Sequence, residues 1–190
     1  MIEQISAIPM DMVLADIGLG SSAQSGAKTH GVYQVECRDA DGVLVWADRA
    51  ENLWTTLGKN DALDKYIAGA TYTQTFVMGL KGTGTAVAAD TQASHAGWLE
   101  VGLANAPTYS GTRKTPTFNA ASAGSKATSA PVVFNITSTG SVAGCFLNNA
   151  GSSTIDNTTG ILFSAGDFAG GPYAVQNGYT LSVTYTATLT

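Results

Sequence analysis

Residues 179–190 read Tyr179-Thr180-Leu181-Ser182-Val183-Thr184-Tyr185-Thr186-Ala187-Thr188-Leu189-Thr190. Tyr179, Leu181, Val183, Tyr185, Ala187 and Leu189 alternate without a break against Thr180, Ser182, Thr184, Thr186, Thr188 and Thr190. A period of two puts the two rows on opposite faces of a strand. The first row is the expected core face; the hydroxyl row is left for water or another subunit. At about 3.3 Å per residue the stretch spans roughly 40 Å, against about 5–6 residues for a common strand. A strand that long requires partners on both sides, and the rest of the chain is read as what pairs with it and covers it.

The composition fits that reading. A chain of 190 residues is long enough to bury one sizeable core. Asp, Glu, Lys and Arg make up 12% of it, about half the usual share. After Lys114 the only charged side chains are Lys126, Asp156 and Asp167. Thr, Ser, Asn, Gly and Ala take their place, which favours a neutral β-rich surface over one that steers charged ligands. With net charge −5 and nine scattered Lys and Arg, there is no basic stripe for nucleic acid. No apolar run approaches the roughly 18 residues of a membrane span. Glu3 and Asp11 stand where a secretion signal carries basic residues, so synthesis in a cytoplasm is expected. Cys37 and Cys145 each sit in an alternating apolar run and are expected as free, buried thiols.

Working outward, residues 160–164, 142–147 and 132–137 read as further strands, with Ser138-Thr139-Gly140 turning residues 142–147 back onto 132–137 and residues 148–159 as a polar loop. Short strands with Gly and Asn punctuation are the pattern of a sandwich or jelly roll. Residues 71–80 and 98–103 add strands, and Lys81-Gly82-Thr83-Gly84-Thr85 reads as a turn. Residues 32–37 and 43–47 form a hairpin around Asp41-Gly42. A short helical insertion is expected at about residues 48–68: Ala50, Leu53, Trp54 and Leu57 share one helical face, Gly58 breaks the run, and a second face of Leu63, Tyr66 and Ile67 follows an Asn60 cap. Residues 1–30 read either as a first strand followed by a long loop or as an N-terminal arm and flexible connector that docks on a neighbouring subunit, with Ile2, Ile5, Ile8 and Met10 as candidate interface residues. Residues 31–190 are the single β-sandwich domain.

The one cluster of reactive residue types is Asp90-Thr91-Gln92-Ala93-Ser94-His95-Ala96-Gly97-Trp98. Asp, Ser and His are all present, but a catalytic triad converges from separate elements, whereas these lie in one loop. The expected role of Asp90, Ser94, His95 and Trp98 is structural, with local side-chain to backbone bonds tying the loop and Trp98 pinned in the core. No phosphate or dinucleotide loop survives at residues 81–85. Counted as a calcium loop from Asp39, position 12 is Ala50, where a bidentate Glu is needed. Catalytic, metal and cofactor sites are therefore not expected. Trp46, Trp98, Tyr109 and Tyr173 are the aromatic candidates for a sugar-binding alternative.

Two stretches carry a family resemblance: residues 88–98, Ala88-Ala89-Asp90-Thr91-Gln92-Ala93-Ser94-His95-Ala96-Gly97-Trp98, and residues 142–147, Val142-Ala143-Gly144-Cys145-Phe146-Leu147. Together with residues 52–67, 76–80, 162–166 and 181–185, they resemble a small structural protein of tailed-bacteriophage virions. The resemblance covers residues 50–190. It implies a non-enzymatic capsid decoration, or cement, protein on the virion surface. Its partners would be the major capsid protein and further copies of itself, as a homodimer or homotrimer, with Thr184 and Thr186 as candidate interface residues beside the arm. A tail or fibre component with a carbohydrate-binding sandwich is the alternative.

Overall fold

The structure, a computed structural model, describes residues 28–67 and 75–190. The expected arm residues Ile2, Ile5, Ile8 and Met10 lie outside the described residues. Among the described residues the chain forms an all-β sandwich with one short helix. Its elements are β1 (Thr29–Arg38), β2 (Leu44–Trp54), α1 (Thr56–Ile67), β3 (Phe76–Gly84), β4 (Trp98–Val101), β5 (Ser125–Ala127), β6 (Val132–Asn135), β7 (Gly140–Val142), β8 (Gly144–Asn149), β9 (Ile161–Phe168), β10 (Tyr173–Val175) and β11 (Thr180–Leu189). Among the described residues nine strands make one antiparallel sheet in the order β4-β3-β8-β9-β2-β1-β11-β5, with β6 also on β11; β7 and β10 pair separately.

The long terminal strand has partners on both sides. β1 follows it over its whole length, from Thr29 on Leu189 to Arg38 on Thr180. On its other side β6 takes Thr180–Val183 and β5 takes Thr186–Thr188. Leu181, Val183 and Tyr185 are buried, whereas Ser182, Thr184 and Thr186 are half-buried on the opposite face. The inward row ends early, because Ala187 is only half-buried and Leu189 is 57% exposed. Inside, the Tyr33 and Tyr185 rings lie 4.8 Å apart. Their hydroxyls are satisfied by Ser164 Oγ, at 2.9 Å from Tyr33, and by Asn52 Nδ2, which donates to Tyr185 at 2.8 Å. Buried hydroxyls without such partners would cost about 1–3 kcal/mol each.

The β1–β2 hairpin turns at Asp41-Gly42 as expected, with Gly42 at φ +82°. Asp39 Oδ1 accepts from the backbone N–H groups of Asp41 and Val43 at 3.0 and 2.8 Å, which closes the turn.

The helical region is corrected in its first half. Residues 48–54 are not helix but the end of β2, in which Trp46, Asp48, Ala50, Asn52 and Trp54 point inward by alternation. Ala50 sits opposite Phe168 and Trp54 opposite Ser164 of β9, and those ladder bonds outweigh the helical spacing of Leu53, Trp54 and Leu57. A single helix follows, capped by Thr55 rather than Asn60. The Thr55 hydroxyl oxygen accepts from Gly58 N–H at 3.0 Å and donates to the Leu162 carbonyl. Gly58 does not break this helix; it is where the helix rests on β9. A Cβ there would sit 2.2 Å from the Phe163 carbonyl oxygen.

Two further expectations are corrected. Residues 81–84 are not a turn but the last residues of β3. Residues 142–147 do not pair back on 132–137: β8 lies between β3 and β9, while β6 pairs with β11. All six residues of β8 are buried, so it needs cover on both faces and takes the middle of the sheet. The polar loop begins later than expected, since Asn148 and Asn149 belong to β8. Their amides donate to the Thr159 carbonyl at 3.0 Å and to Asp61 Oδ2 of α1 at 2.7 Å.

Candidate functional site

The chemically richest region lies on the outer face of β3, β4, β8 and β9. Register places Gly79 beside Phe146, Lys81 beside both Glu100 and Gly144, and Gly144 beside Asp167. Period-two geometry then gathers Lys81, Glu100, Phe146 and Asp167 on one face, away from the main core. Trp98, Phe146, Leu162 and Ala165 form a second small core there. Gly79 has no side chain because the Phe146 ring occupies that space: a Cβ would lie 2.4 Å from it.

Residues 85–97 fold over this face. Asp90 Oδ2 accepts from the Trp98 indole N–H at 2.9 Å and from the Val87 backbone N–H at 2.9 Å. Ser94 N–H donates to Thr91 Oγ1 at 2.9 Å. His95 stacks on Trp98 with ring centroids 4.0 Å apart, and its Nδ1 lies 3.0 Å from the Trp98 carbonyl oxygen. A carbonyl only accepts, so Nδ1 carries the proton and donates. The structure thus brings Asp90, His95 and Trp98 together around one indole and leaves the Ser94 side chain exposed. Among the described residues no hydrogen bond joins Asp90, Ser94 and His95 to one another. The Asp90 carboxylate is committed to Trp98 and Val87, and the imidazole to a carbonyl.

Beneath the loop lie charges that no motif indicated. The Lys81 side chain is fully buried; its ammonium donates to the Gly82 and Gly84 carbonyls at 3.2 and 2.6 Å and to Asp167 Oδ1. It also stands 5.7 Å from the Trp98 ring centroid. Arg113 grips Glu100 with both prongs, Nε to Oε1 at 2.8 Å and Nη2 to Oε2 at 2.6 Å. It donates further to the Ser152 and Asn157 carbonyls at 3.0 and 2.8 Å. Glu100 Oε2 also accepts from Asp156 N–H at 3.0 Å. Lys81 opens a Gly- and Thr-rich run, residues 81–85, that reads as a turn, and Arg113 lies 13 residues from Glu100, so only three-dimensional pairing reveals them. Every donor is aimed at a fixed protein acceptor. The arrangement is built to hold residues 85–97 and 150–157 on the sheet.

The outer face of β11, β1 and β2 is different. Thr184 and Ser182 line a groove of about 750 Å³ with Gln34, Glu36, Arg49 and Pro131. Thr184 lies beside Gln34, and Gln34 beside Arg49. Thr186 continues the same row beside Val32 and Ala127. At its edge Asp48 accepts from Gly170 N–H at 2.8 Å and Arg49 N–H at 2.7 Å. Burial pushes the Asp48 carboxyl up, but these backbone donors and the Tyr173 hydroxyl outweigh it and hold it below the usual Asp value.

Of the aromatic candidates, Trp98 and Tyr109 are buried, while Trp46 and Tyr173 are half-buried and stacked on each other at 4.4 Å. Cys37 and Cys145 are free and buried. Among the described residues there is no cluster of three or more His, Cys, Asp or Glu side chains suited to a metal ion, and no helix is long and apolar enough to cross a membrane. Comparison of the chain with protein-family models, with curated proteins and with solved structures gives no match.

Proposed function

We propose that this chain is a non-enzymatic structural protein of a tailed-phage virion, a decoration protein that binds the outside of the major capsid shell and stabilises it. One observation carries the reading most: Lys81, Glu100 and Arg113 are turned inward and consumed by structural bonds, while the accessible β11–β1–β2 face offers a groove bearing Ser182, Thr184 and Gln34 beside Glu36 and Arg49. The hydroxyl and amide groups of such a sheet face make many modest hydrogen bonds, and a symmetric shell multiplies each of them by copy number. The resemblance of residues 88–98 and 142–147 to virion structural proteins supports the same reading. Copies of the chain associating as dimers or trimers on the shell belong to this proposal, as does its virion location.

The test is co-sedimentation of the purified chain with expanded capsid shells. Wild type is expected to bind saturably and to raise the shell's melting temperature. The variant T184K/T186K is expected to fold normally and to bind more weakly. Absence of saturable binding by folded wild-type protein would reject the proposal.

A further inference from the structure

β2 is a central strand over one half of its length and an edge over the other. Its partner β9 runs beside it only from Ala50 to Trp54, and the last backbone bond on that side runs from Ala169 N–H to the Arg49 carbonyl at 3.0 Å. Among the described residues, 44–47 have a strand on the β1 side alone. Backbone groups alternate along a strand, so Ala47, two positions before Arg49, turns its N–H and C=O to the open side. The sequence at this edge is nevertheless that of a covered strand. Val43, Leu44, Val45, Trp46 and Ala47 form an unbroken apolar run, the pattern of a strand buried on both faces, yet Val43, Leu44 and Val45 are exposed. The register with β1 shifts beside Cys37, which twists the edge, but residues 43–47 include no charge and no proline of the kind that blunts an open edge.

The charges at the two ends of this edge select the strand that fits it. Asp39 and Asp41 lie in the turn at one end and Arg49 stands at the other. Arg38, next to the turn, is taken by Glu36 at 2.9 Å, whereas exposed Arg49 has Glu51 only at 3.6 Å. A second copy laid antiparallel carries each acidic turn to the other copy's Arg49; a parallel copy would set turn against turn. We propose that two copies of this chain join along residues 44–47 of β2, antiparallel about a two-fold axis perpendicular to the sheet. Each copy then continues the other's sheet, and Val43, Leu44 and Val45 of both are covered. The two β11–β1–β2 faces point to the same side. The inference names the surface on which copies associate; it concerns the isolated chain and does not rest on the capsid reading.

Two measurements on the full chain, made without shells, test it. First, sedimentation over a wide concentration range is expected to show a reversible monomer–dimer equilibrium for wild type. L44K/V45K is expected to stay monomeric with an unchanged circular dichroism spectrum, and so is A47P, which removes an N–H on the open side and no bond to β1. R49D is expected to weaken the dimer several-fold, and D41R/R49D, which exchanges the charges, to restore it. Second, V43C, L44C and V45C are oxidised mildly in turn; the native thiols are buried and do not compete. At least one is expected to give a disulfide between chains, and T184C, two strands from the edge, to give none. A wild-type chain that is monomeric at every concentration would overturn the proposal. So would a trimer, which a two-fold edge cannot build, a dimer that survives both L44K/V45K and A47P, or no cross-link at any of the three edge positions.

Discussion

Arg113 and Glu100 meet as a two-pronged ion pair with 0% and 3% of their side chains exposed. The pair joins β4 to residues 150–157, because Arg113 also holds the Ser152 and Asn157 carbonyls. Burying two charges costs several kcal/mol each, and the pair offsets that only while both members are present. Arg113→Ala or Glu100→Ala is therefore expected to destabilise the fold by about 3–5 kcal/mol. The double substitution R113M/E100L should cost much less than the sum. Denaturant unfolding of the three variants checks this; additive losses would contradict it.

Gly58 predicts a second effect. Its Cβ-free face rests on the Phe163 carbonyl, so Gly58→Ala forces α1 off β9 even though alanine is the better helix former by about 1 kcal/mol. The steric cost, about 1–3 kcal/mol, wins, and a net loss of stability is expected in thermal or denaturant unfolding. A stabilised G58A would show that the helix does not pack this closely.

The thiols give a reactivity test. Burial, with the Asp39 carboxylate adding to it, pushes Cys37 up to about 11, and burial raises Cys145 further still. Thiolate is the reactive form, so the native protein at pH 8 should react with a disulfide reagent only on the timescale of opening. In denaturant two equivalents should react at once. Rapid labelling of native protein would contradict the placement of both side chains.

Asp48 predicts an acid transition. Its folded value lies below the ordinary one, so its contribution to stability is complete above about 3.9, the unfolded value. It is lost as pH falls through the lower folded value. Acid is thus expected to loosen the turn around Gly170, read out by fluorescence of Trp46, which stacks on Tyr173. Asp48→Asn should remove this step from the pH profile.

The sequence announces β11 because one face meets the core and the other does not, and alternation survives. It announces the Asp90–Trp98 loop for a similar reason: bonds such as Thr91 to Ser94 and His95 to Trp98 are local. The central strands carry no such signal. β8 is buried throughout and β3 nearly so, so their residues do not alternate, and Lys81 followed by Gly82 and Gly84 resembles a turn until Asp167, 86 residues away, neutralises it. Trp54 misleads in the other direction, since its helical spacing from Ala50 and Leu57 coincides with the inward row of β2. Strand order is least legible, because the partner of β6 is β11 and not the strand that follows it.

The central proposal, that the chain coats a capsid, is tested most directly by a density map of tailed-phage virions that contain it. The account predicts symmetry-related copies of this β-sandwich on the outer capsid surface, with the β11–β1–β2 face turned toward the shell. Density for the sandwich in the tail alone, or a shell with no copies on it, would contradict the account.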